Sequence, residues 1–67
     1  GLGFADLLNK SRVDYLVELL KQGKHEEYTI EALAKMSGFG SRQTMYKAFA
    51  KFKKQSPTDY IDSLKHK

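Results

Sequence analysis

Residues 38–49, GFGSRQTMYKAF, decide how this chain is read. Gly38 and Gly40 flank a single phenylalanine, and glycine enters left-handed backbone without the clash a Cβ would meet, so the stretch predicts a tight turn between two helices. Ser41 is then the N-cap of a helix from Arg42 to about Lys54, its hydroxyl accepting from a backbone N–H in the first turn. Within that helix Met45, Ala48, Phe49 and Phe52 form a narrow inward stripe. Arg42, Gln43, Thr44, Tyr46 and Lys47 are left to face outward. Phe39 sits between the two helices and is expected to plug their shared core.

Working upstream, Thr29 is an N-cap for a short helix from Ile30 to Ser37, with Glu31 in the first turn, where the helix dipole favours an acid. Ile30, Leu33, Ala34 and Met36 make its apolar side, and Gly38 ends it. Residues 22–28, QGKHEEY, are polar, contain a glycine and read as a solvated connecting loop that carries His25. Before them Phe4, Leu7, Leu8, Tyr15, Leu16 and Leu19 recur at helical spacing from Phe4 to Lys21, which predicts a long helix with these residues as its buried stripe. Val13, Val17 and Leu20 fall on the opposite side of a wheel turned about 100° per residue, so this first helix is apolar on two faces.

Downstream, Ser56-Pro57 starts a last helix, with serine as cap and proline at the first helical position, where its missing N–H does no harm. Tyr60, Ile61 and Leu64 pack it back. No internal repeat and no strand-like alternation is present. The fold expected is all-α: a small helical domain with one helix-turn-helix, preceded by a long helix over residues 1–23, in a single folding unit whose helix-turn-helix part spans residues 24–67. Its centre is a homeodomain-like three-helix core.

Composition bounds the rest. Sixty-seven residues allow one small core and make stability marginal. With no cysteine there is neither a disulfide framework nor a thiolate zinc site, and His25 and His66 alone are poor material for a metal. Neither histidine lies near a nucleophile at useful spacing, so the expectation is a non-enzyme without cofactor or metal. No stretch approaches the roughly 20 apolar residues of a membrane span, and the absence of cysteine fits a cytoplasmic protein. The formal charge of +4 is uneven. Residues 1–34 hold four Lys and Arg against six acids, whereas residues 35–67 hold eight against two. The positive field belongs to the C-terminal half, and such a field favours a polyanion.

A short helix, a glycine-centred turn and a second helix with a polar N-terminal half form a helix-turn-helix. In DNA-binding versions the second helix enters the major groove and its N-terminal residues reach base edges. Arginine and lysine bond guanine O6 and N7, glutamine pairs with adenine N6 and N7, and threonine meets a thymine methyl or a phosphate. The plainer explanation of the same pattern is a solvated helix face, with Lys51, Lys53 and Lys54 complementing the helix dipole.

The run from Thr29 to Tyr60, TIEALAKMSGFGSRQTMYKAFAKFKKQSPTDY, resembles the second helix-turn-helix of AraC/XylS-type bacterial transcriptional regulators. The matching residues are Thr29-Ile30, Ala34, Gly38-Phe39, Ser41, Phe49, and Ser56-Pro57 with Tyr60. FADLLNKSRVDYLVELL resembles the family's linker helix at Phe4, Leu8, Arg12, Val13, Leu19 and Leu20. Two positions depart: Lys54 stands where the family usually has glycine, and Ala50 where it usually has lysine.

The resemblance implies sequence-specific binding of double-stranded DNA by a transcription regulator, with the recognition helix, residues 42–54, in the major groove. It also implies a first helix-turn-helix that would precede this stretch and is missing from it; Val13, Val17 and Leu20 would meet that subdomain and, without it, drive self-association. The residues expected at base edges are Arg42, Gln43, Tyr46 and Lys47. Those expected at phosphates are Ser41, Thr44 and Lys51, helped by backbone N–H groups from Ser41 to Gln43. The alternative reading is a helical protein-interaction or oligomerisation module without base-specific contacts.

Overall fold

The computed structural model describes residues 3–65 and is all-helical over them. The elements are α1 (Phe4–Lys21), a single 3-10 turn (Lys24–Glu26), α2 (Ile30–Met36), α3 (Arg42–Lys53) and α4 (Pro57–Lys65). His66 lies outside the described residues.

The helices α2, α3 and α4 start where their cap residues predict. The Thr29 hydroxyl accepts from the Ala32 N–H at 3.1 Å, Ser41 from Thr44 at 3.2 Å and Ser56 from Asp59 at 3.1 Å, so in each case one donor orphaned at a helix start is satisfied. The end of α2 is equally specific. The Phe39 N–H bonds the Ala34 carbonyl at 2.9 Å and the Gly38 N–H bonds the Lys35 carbonyl at 3.1 Å, with Gly38 at φ +89°: a Schellman closure. It folds Phe39 inward, and Phe39 is buried as expected.

The core is built from all four helices. Leu33 and Ala34 of α2, Met45, Ala48 and Phe49 of α3 and Ile61 of α4 meet a stripe from α1. Tyr60 closes the α3–α4 seam edge-on to Phe49, ring centroids 5.8 Å apart at 70°, a geometry that sets the positive ring edge against the negative face. Phe52 and Leu64 are half-buried around this cluster.

The stripe contributed by α1 is the expected one only at Leu16 and Leu19. Val13, Leu16, Val17 and Leu20 are buried together with Leu19, whereas Phe4, Leu7, Leu8 and Tyr15 are exposed, Phe4 to 83%. Val13, Leu16, Val17 and Leu20 sit at i, i+3, i+4 and i+7, a complete two-turn face at the end of the helix nearest its partners. Phe4, Leu7 and Leu8 crowd the other end. On a wheel turned about 100° per residue, Phe4, Leu7, Leu8 and Tyr15 lie on the side of α1 opposite Val13, Val17 and Leu20, so they point away from the body and go uncovered. The exposed apolar strip exists, but on the face opposite the one assigned to it.

Two smaller expectations also shift. Met36 is exposed, because the core meets α2 at Leu33 and Ala34, and Met36 lies beyond that narrow contact on so short a helix. Residues 22–28 are not a free loop. Gly23, at φ +80°, turns the chain into the Lys24–Glu26 turn, which folds back against the end of α1. His25 is half-buried there, with Nδ1 enclosed and lacking a hydrogen-bond partner among the described residues.

Candidate nucleic-acid interface

The surface of interest is the outward side of α3. Met45, Ala48 and Phe49 anchor the helix from below, so the side chains at the remaining angles project away from the body. Arg42, Gln43, Tyr46 and Lys47 line one shallow concavity there. Arg42, Gln43 and Lys47 are exposed, while Tyr46 is half-buried and packs its ring against the core. The structure therefore brings the four expected base-edge residues together, with Tyr46 as the most buried of them.

Arg42 and Gln43 also border a second concavity with Glu31, Lys35, Gly40 and Ser41, between α2 and the start of α3. Glu31 and Lys35 were not among the residues expected. Lys35 belongs to the basic C-terminal half, and that charge asymmetry is the only sequence signal pointing at it. Glu31 adds an acid to the rim of an otherwise basic surface.

The three residues expected at phosphates fare differently. The Ser41 hydroxyl accepts from the Thr44 N–H and donates to Thr44 Oγ1 at 3.0 Å, so its single proton is committed to the cap. Thr44 keeps its own hydroxyl proton and is exposed. Lys51 is not free: its Nζ donates to Asp6 Oδ1 of α1 at 2.6 Å and lies 5.6 Å from the Phe52 ring centroid. Lys53 approaches Asp14 at 3.9 Å, and Lys10 bonds the other oxygen of that carboxylate at 3.1 Å. Among the described residues no ion pair engages Arg42, Lys47 or Lys54. The cations of α3 thus divide into an unpaired set at the outward face and a paired set held by α1.

The turn that sets α3 is held from above by α1. A Cβ added at Gly38 would lie 3.1 Å from Arg12 Nε and 3.5 Å from Arg12 Cδ, so the arginine stem rests on the bare glycine backbone. Neither this contact nor the Asp6–Lys51 pair is legible as a local pattern, since the partners are 26 and 45 residues apart.

Among the described residues no group of three His, Asp or Glu side chains is placed to hold a metal, and no helix is long and apolar enough to cross a membrane. Compared with models of known protein families, with curated proteins and with solved structures, the chain matched none.

Proposed function

We propose that this chain binds double-stranded DNA with α3 in the major groove, as the linker helix and second helix-turn-helix of an AraC/XylS-like bacterial transcription regulator. The observation that carries the reading is the gathering of Arg42, Gln43, Tyr46 and Lys47 on one outward concavity of α3, with neither cation in an ion pair among the described residues. A basic helix with its polar chains splayed on one side matches the donor and acceptor code of base edges. Arg42 and Lys47 serve guanine, Gln43 serves adenine, and Tyr46 stacks on sugar or base from a ring already held by the core. Thr44 and the unpaired Lys54 meet phosphates.

A second reading has its own observation. Phe4, Leu7, Leu8 and Tyr15 form an exposed apolar face on α1, larger than scattered surface leucines explain, and it suits an interaction or oligomerisation module. The two surfaces are on different helices, so one experiment separates them. Titrating duplex DNA into the chain and following amide NMR shifts should move residues 41–51 under the DNA reading. Arg42→Ala should then weaken specific sites by about 5- to 150-fold, the equivalent of 1–3 kcal/mol, while costing random duplex much less. Shifts confined to residues 4–15, or equal losses on specific and random duplex, would defeat base reading by α3.

A further inference from the structure

The basic end of α3 is tied to the acidic side of α1. Lys51 and Asp6 meet at 2.6 Å with side chains 56% and 36% exposed, so solvent, and any competing anion, reaches the pair. Asp14 serves Lys53 at 3.9 Å and Lys10 at 3.1 Å from its two oxygens. The carboxylates of α1 therefore occupy both lysines at the end of α3.

We propose that Asp6 and Asp14 are internal competitors for phosphate: a nucleic-acid backbone engaging the end of α3 displaces them, and α1 thereby sets the affinity and the salt dependence of this surface. The identity of the polyanion rests on the DNA reading above; the competition itself does not. An unpaired lysine that meets a phosphate releases one condensed cation, and log K falls by about 0.9 per tenfold rise in salt for each such contact. A lysine taken from Asp6 leaves a bare carboxylate that draws a cation back. The net release is smaller, and the salt slope shallower, than the count of lysines implies.

Asp6→Asn frees Lys51 while keeping the side chain's shape. Its duplex affinity at low salt should rise about two- to fivefold, the range set by the worth of an exposed ion pair, and its salt slope should steepen by up to about 0.9. Lys51→Ala should cost little in the native chain and should erase the gain in the Asp6→Asn background. Glu18→Gln is the control. Glu18 is an exposed acid of the same helix with no ion pair among the described residues, and its substitution changes net charge equally.

A gain for Asp6→Asn that Glu18→Gln does not share, lost on adding Lys51→Ala, supports the competition. Equal gains for the two acid substitutions reduce it to net charge and overturn it, as does an Asp6→Asn chain that binds no more tightly than the native one. Asp14→Asn, freeing Lys53 and Lys10, repeats the test should Asp6→Asn unfold. If the native chain binds no duplex, the DNA reading falls by itself; the same variants are then compared on inorganic polyphosphate, where equal affinity and equal slope overturn the competition.

Discussion

Lys54 carries the strain of this structure. It follows α3 at φ +61°, the only non-glycine residue with positive φ among those described, and its N–H bonds the Ala50 carbonyl at 3.0 Å. A left-handed residue with a Cβ costs roughly 1–2 kcal/mol, of which glycine's greater freedom in the unfolded chain would return part. Lys54→Gly should therefore stabilise the fold by about 0.5–1 kcal/mol, read as a higher urea midpoint with unchanged slope. A lower midpoint would mean that the lysine side chain contributes more to the fold than its exposed position implies. Read from the sequence, the helix runs to about Lys54 and this stop does not show, since lysine is a good helix former and hides it; the helix ends at Lys53. Lysine at this position leaves an exposed positive charge just past the end of α3.

At the scale of elements, caps and turns were readable because their partners are three to five residues apart. Thr29, Ser41, Ser56 and Gly38 act through neighbours that the sequence places beside them. The face that α1 buries was not readable in the same way. Both sides of that helix are apolar, periodicity alone favours the side with more apolar residues, and the side that is buried is set instead by the face on which α2 and α3 pack. The turn between α2 and α3 offers a test of how firmly α1 holds the helix-turn-helix. Gly38 and Gly40 have similar positive φ, +89° and +80°, but a Cβ at Gly38 meets Arg12 whereas one at Gly40 meets nothing within 4 Å. Alanine at either position incurs about 1–2 kcal/mol of backbone strain, and at Gly38 it must also push the arginine stem aside. Gly38→Ala should be the more destabilising of the two in thermal unfolding, and pairing it with Arg12→Ala should recover the difference. Equal losses at the two glycines would show that Arg12 yields freely and that α1 does not clamp the turn.

The whole molecule has little stability to spare, and that decides what its two apolar surfaces are for. A domain of 67 residues has about 3–10 kcal/mol in hand, and it must order four helices around one small core. Phe49 is at the middle of that core: fully buried on α3, edge-on to Tyr60, and part of the cluster that joins all the helices. Phe4 is the same side chain at 83% exposure at the start of α1. Truncating a buried phenylalanine costs about 3–5 kcal/mol through lost burial and the cavity left behind, a sum comparable to the entire stability. Phe49→Ala should thus lose most of its helical circular dichroism at room temperature, taking the outward concavity of α3 with it, because Arg42, Gln43, Tyr46 and Lys47 are gathered only as long as the helix is anchored from below. Phe4→Ala has no such contacts to lose and should melt within about 0.5 kcal/mol of the native chain. A large loss for Phe4→Ala would mean that its ring is covered in solution by a second copy of the chain. Measuring that loss at several protein concentrations checks this, since cover by a second copy weakens on dilution.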